Sequence, residues 1–163
     1  MSANGALGGQ WDTSYRGGHA PPAHGAPLHD LEASDQFPAK VYDELHHYTH
    51  MSGQTRSDQE SVHGVRSARG KPEKSVSVYR AAPAGTTHIN PGDWVALSPH
   101  YAKEHAAGAG PGPNGGSDWP IHSAKVPAKH VRNGGNDIVE WGYHGEKPMP
   151  VTTKHPPKRG WSI

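Results

Sequence analysis

Residues 75–106 read SVSVYRAAPAGTTHINPGDWVALSPHYAKEHA, and no other stretch carries such consistent local signals. Alternation over residues 75–81 predicts a strand, with Val76, Val78 and Arg80 on one face and Ser77 and Tyr79 on the other. Ala84-Gly85 and Asn90-Pro91-Gly92 are turn signals. Residues 93–97 predict a second short strand. Ser98-Pro99 then opens a helix, because a serine side chain caps an orphan amide and proline fits the first turn. That helix carries Tyr101 and His105 and is expected to end near Gly108. The stretch delivers an arginine and a serine at strand ends, where a binding crevice needs them.

Toward the C-terminus, residues 107–117 are rich in glycine and proline and predict a flexible loop, either a flap beside a site or a plain surface connection. Residues 121–126 predict an edge strand. Asn133-Gly134-Gly135-Asn136 predicts a tight turn into a strand over residues 137–141 that contains Glu140. Toward the N-terminus, residues 52–73 are polar, with a short helix or irregular element at 61–69 whose Val62, Val65 and Ala68 share a face. Arg66 and Arg69 either approach a phosphate or form a solvated basic face. Val41, Tyr42, Leu45 and Tyr48 suggest a short amphipathic helix within residues 35–51.

No internal repeat is present, so the 163 residues are expected to form a single domain, 1–163. Residues 1–34 read as an extended arm pinned by Trp11, Tyr15, Leu28 and Leu31; residues 35–146 form the core; residues 147–163 form a proline-rich basic tail anchored by Trp161 and Ile163. Only 32% of the chain is hydrophobic, beside 21 glycines and 16 prolines, so the core is small and much of the chain is turn or coil. A formal charge of +1 gives no broad cationic field for nonspecific nucleic-acid binding. The absence of cysteine excludes disulfides, thiolate catalysis and cysteine-based metal centres. No apolar run is long enough to cross a membrane, and MSANGALGGQ lacks the basic start and apolar run of a secretion signal, so a cytoplasmic location is expected.

The sharpest chemical constellation is Arg80, Ser98 and Glu140, with Tyr101 beside them. Arginine offers a rigid fork of donors suited to a diphosphate. A glutamate can accept a ribose hydroxyl and stabilise positive charge developing on a glycosyl carbon. Serine can orient that carboxylate or the ribose, and a tyrosine can stack on a flat ring. Each residue also has a plainer explanation: Arg80 as an ion-pair partner, Ser98 as a helix cap, Glu140 as the solvent side of an alternating strand. His46 and His50 have the i,i+4 spacing of a shared metal, but no glutamate between them completes a metalloprotease pattern, and no metal ligands are assigned. Neither GxxxxGK nor GxGxxG occurs.

The segments VYRAAP (78–83), INPGDWVALSPHYAKEH (89–105) and NDIVEWGY (136–143), with YRGGHAP and GAPLHDL before them, resemble actinobacterial and phage proteins of the ADP-ribosyltransferase superfamily, in its Arg–Ser–Glu branch. The resemblance spans much of residues 15–143. It implies an α+β fold, an ADP-ribosyltransferase-like split β-sandwich with short helices and extended N- and C-terminal arms, around a cleft that binds NAD. It implies that Glu140 promotes loss of nicotinamide, with Arg80 and Ser98 completing the catalytic set. It assigns NAD contacts to Arg80, Ser98, Tyr101 and Tyr79. Two departures stand out. Ile138 occupies the place where arginine-directed members carry Glu and several base-directed members carry Gln. Leu97-Ser98-Pro99 replaces the common Ser-Thr-Ser pattern.

The function implied is mono-ADP-ribosyl transfer from NAD to a macromolecular acceptor, protein or nucleic acid, in a bacterial or phage-infected cell. The competing expectation is a non-catalytic structural or protein-binding component on the same type of fold, with a protein partner holding the terminal arms. No membrane partner is expected.

Overall fold

Strand β1 (Ser75–Ala81) forms where the alternation places it, with Val76, Val78 and Arg80 on the buried face. A computed structural model describes residues 24–108, 118–135, 137–158 and 161, and the architecture is mixed α+β. β1 pairs along its whole length with β4 (Ile121–Pro127), antiparallel, from Ser75↔Pro127 to Ala81↔Ile121. β4 is not the edge strand expected. β8 (Thr152–Lys154) in the tail pairs with its other side, so the three strands run in the order β1-β4-β8. The β-branched pair Thr152-Thr153 forms this strand just before the prolines stop it.

A second three-stranded sheet runs in the order β3-β6-β5, from β3 (Trp94–Val95), β6 (Trp141–Tyr143) and β5 (Val131–Asn133). The two sheets meet at one isolated bridge, Tyr79↔Ala96, closed by Tyr79 N–H to Ala96 O at 2.9 Å and Ala96 N–H to Tyr79 O at 2.8 Å. A small ribbon of β2 (His88–Ile89) and β7 (Met149–Pro150) forms a third sheet, which packs near β4. The turn into β3 follows from its sequence. Pro91 supplies the fixed φ of the first corner, Gly92 takes φ +92°, and Asp93 N–H closes on Asn90 O at 3.0 Å. The Asp93 carboxylate also accepts from Asn90 N–H at 2.8 Å.

Helix α1 (Arg56–Ala68) begins five residues before the element expected at 61–69. Thr55 Oγ1 caps it by accepting from Asp58 N–H at 3.1 Å. Asp58 is buried because its carboxylate accepts from the Met51 and Gly53 amides, at 2.8 and 3.2 Å. Helix α2 (Pro99–Gly108) follows Ser98 and ends at Gly108, as expected. Residues 35–51 do not form a continuous helix. They form two 3₁₀ turns, Val41–Asp43 and Leu45–Tyr48, separated by Glu44 at φ −132°. Long-range contacts determine this shape: the Tyr42 hydroxyl accepts from Leu31 N–H at 2.9 Å, and Arg69 lies 3.7 Å over the Tyr42 ring.

The described part of the N-terminal segment belongs to the core rather than to an arm. Ala26, Leu28 and Leu31 are fully buried. Leu28 N–H donates to Val131 O, and Asn133 N–H donates to Ala26 O, which adds this segment to the outer side of β5. Trp161 also anchors as expected: its Nε1–H donates to Trp119 O at 2.6 Å, and its ring packs on Ala102, Ala106 and Ile121. Trp11, Tyr15, Ile163 and most of the loop at 107–117 lie outside the described residues. Among the described residues no helix is long and apolar enough to cross a membrane.

Candidate functional site

Strands β1, β3 and β6 are spatial neighbours, and that adjacency assembles the site. β3 pairs with β6 as Val95↔Trp141 and bridges β1 as Ala96↔Tyr79. Continuing the register by one residue sets Glu140 level with Ala96. Glu140 is therefore not inside a strand, as expected from the alternation, but one residue before β6. The Asp137 carboxylate shapes this approach, accepting from Val139 N–H at 3.0 Å and Glu140 N–H at 3.2 Å.

The Glu140 side chain meets α2. Tyr101 Oη donates to Glu140 Oε2 at 2.5 Å. Burial, then the bond to Glu140 and its negative charge, push the Tyr101 hydroxyl far above the ordinary tyrosine range. The phenol consequently stays protonated and acts as the donor. His50 packs edge-on against Tyr101 at 5.5 Å between ring centroids, and its Nε2 lies 3.7 Å from Asp137 Oδ2.

Ser98 is fully buried and caps α2 as its position suggested. Its Oγ accepts from Tyr101 N–H at 3.0 Å as the cap of α2. Its hydroxyl proton goes to Glu60 Oε1, on α1, at 2.6 Å. Ser98 thus reaches Glu140 only through Tyr101. Burial tends to raise the Glu60 pKa. The hydrogen bonds from Ser98 and His100 and the charges of His100 and Arg56 outweigh it, so the carboxyl is held below its ordinary value.

Arg80 is 7% exposed, and its guanidinium is engaged inside the fold. Nη1 donates to Trp94 O at 2.9 Å, and Nε lies 3.9 Å from Asp93 Oδ2, on a residue 1% exposed. The same parity that buries Val76 and Val78 turns Arg80 inward. In this structure it braces β3, whereas the sequence suggested a fork open to a diphosphate.

Tyr79 points the other way and lines a cleft of about 560 Å³ between α1 and β1. Arg56, Glu60 and His63 form the helical wall, Ser75, Ser77 and Tyr79 the strand wall, and Leu97 and Pro99 close one end. Ser98, Tyr101 and Glu140 are not among the residues that line it. The volume suits a small ligand.

Glu60, His100 and Asp137 went unseen in the sequence. The Thr55-x-x-Asp58 spacing was the available signal for α1, since a hydroxyl followed three residues later by an acid marks a helix start. Among the described residues no group of three His, Asp or Glu side chains is placed to hold a metal ion, and His46 stacks on His47 at 4.1 Å. Ile138 is fully buried, with its amide donating to Tyr48 O at 2.9 Å, so this position faces the core. No protein-family model, curated protein or solved structure matches this chain.

Proposed function

We propose that the protein transfers ADP-ribose from NAD, its substrate, to a macromolecular acceptor with release of nicotinamide. The observation that carries this reading is the Tyr101–Glu140 hydrogen bond where β1, β3 and β6 are neighbours, in a fold that also holds a ligand-sized cleft lined by Tyr79. Two three-stranded sheets joined at one bridge support the split sandwich that the resemblance implies. The α1–β1 cleft would take the part of the dinucleotide remote from the nicotinamide ribose, with Tyr79 on one wall and Arg56 and His63 on the other. Glu140 would stabilise positive charge developing on the nicotinamide ribose as the glycosidic bond breaks. Nicotinamide leaves with the bonding electrons, and an acceptor nucleophile forms the new bond to the anomeric carbon. Tyr101 holds the carboxylate in one orientation during this step. Arg80 serves the site from beneath by holding β3 in register.

With Ile138 in the core, acceptor choice falls to side chains elsewhere on the rim. The test is nicotinamide release from NAD by the purified chain and by Glu140→Gln. A fall of about a hundredfold or more is expected. Equal release by the two proteins removes Glu140 from the mechanism. No release by either, with no NAD binding, leaves the non-catalytic binding function in its place.

A further inference from the structure

Glu60 is a cleft-wall carboxylate that takes no part in the reaction proposed above. Its Oε1 accepts from Ser98 Oγ at 2.6 Å. His100 Nδ1 lies 3.1 Å from Oε1 and 3.0 Å from Oε2. Arg56 Nε, one turn earlier on α1, lies 3.4 Å from Oε2. One carboxylate thus grips two residues in the first turn of α2. A serine hydroxyl has a single proton to donate. With that proton on Glu60, a lone pair of Oγ is aimed at the Tyr101 amide, which it accepts at 3.0 Å.

We propose that Glu60 is a positioning residue, which fixes the first turn of α2 through Ser98 and His100 and so aims the Tyr101 hydroxyl at Glu140. The chain of contacts is continuous: Glu60 to Ser98, Ser98 to the Tyr101 backbone, Tyr101 Oη to Glu140. The ring of Tyr101 is otherwise met by His50 at 5.5 Å and His105 at 6.5 Å between centroids, contacts that leave the direction of the hydroxyl open. α1 is well held itself, by the Thr55 cap and the buried Asp58, so it provides a firm base for the grip. Charge also matters. An ionised carboxylate draws both donors with its charge and a second oxygen, whereas an amide keeps one neutral oxygen for them and puts an NH₂ in place of the other. Glu60→Gln therefore weakens the grip on Ser98 and His100, and Glu60→Ala removes it.

The catalytic part of this inference rests on the Glu140 reading, but its structural part is measurable without turnover. The experiment uses the full chain labelled with ¹³C-tyrosine, with Tyr101→Phe to identify the resonance. In the parent, Tyr101 stays protonated above the ordinary tyrosine range. In Glu60→Ala its ionisation moves to lower pH than in the parent, because the bond to Glu140 loosens while the burial remains. In parallel, NAD turnover by Glu60→Ala is expected to lose about tenfold in kcat with KM nearly unchanged, and Glu60→Gln to fall between. A Tyr101 titration identical to the parent in a folded Glu60 variant overturns the proposal. So does a rise in KM alone, which would make Glu60 a direct substrate contact. If Glu60→Ala does not fold, Glu60→Gln carries both measurements. If the parent releases no nicotinamide, the transferase reading fails and the tyrosine titration alone decides the role of Glu60.

Discussion

Arg80→Met separates two roles for this arginine. The side chain is 7% exposed, Asp93 is 1% exposed, and the pair sits under β3 with Nε 3.9 Å from Oδ2. Methionine fills similar space but removes the Nη1 bond to Trp94 O and the Nε charge beside the buried Asp93 carboxylate. Removing one partner of a buried ion pair costs about 3–5 kcal/mol, chiefly through the uncompensated charge. For a chain of this size that corresponds to a fall in Tm of roughly 10 °C. Thermal unfolding followed by circular dichroism at neutral pH measures it. Adding Asp93→Asn to Arg80→Met is expected to return part of the loss, because the stranded charge is then gone. The two variants with Asp93→Asn alone complete a cycle. A melting temperature for Arg80→Met within 2 °C of the parent (~2 °C being the effect of under 1 kcal/mol), together with a large rise in KM for NAD, refutes the bracing role and restores the phosphate fork.

Two further outcomes follow from local geometry and titration. His122 lies buried in β4, with Nε2 3.2 Å from Ala82 O and from Pro83 O and Nδ1 2.9 Å from Thr153 Oγ1. Burial lowers its pKa against the opposing pull of those carbonyls. The folded chain thus refuses a proton that the unfolded imidazole takes up near 6.5. Stability from this group is complete above that pH and is lost as pH falls toward the folded pKa; Glu60, also depressed, adds a second loss below 4.5. Denaturant midpoints measured across pH 4–8 are expected to decline on acidification, and His122→Gln should flatten the part near 6.5. At the turn before β3, Gly92→Ala forces φ +92° on a residue with a Cβ and is expected to cost about 1–3 kcal/mol. Gly135→Ala, where an added Cβ meets nothing within 4 Å, is the comparison and should leave the denaturation midpoint unchanged.

The legible parts of the chain were those whose signals are local. β1 matched its alternation, α2 matched its Ser98 cap and glycine stop, and the Asn90–Asp93 turn matched its proline and glycine. The misread parts depend on distant partners. Residues 41–48 have a helical apolar spacing, yet Tyr42 is drawn toward Leu31 and Arg69, and the segment breaks at Glu44. β4 looked like an edge because its second partner, β8, lies in a tail whose composition suggests coil. Ser98, Tyr101 and Glu140 were singled out together from the sequence, and the structure links them through the Tyr101 amide and hydroxyl. The partner of Ser98, Glu60, was not assignable, since nothing in residues 56–60 announces that α1 will lie against α2. The inward turn of Arg80 was implicit in its parity with Val76 and Val78, and its partners Asp93 and Trp94 O make that position tolerable.

The segments at either end of the described chain have a shared consequence for solubility. Residues 26–28 close the outer side of β5, and β8 closes the outer side of β4. A sheet edge left bare is a template for another chain. Here the chain shields itself, and the outermost strand, Thr152–Lys154, is short, carries a lysine and runs into His155-Pro156-Pro157, where proline has no amide to offer. What the composition presents as loose ends are the selvedges of the fabric: trim them, and the two sheets are left open to fray into their neighbours.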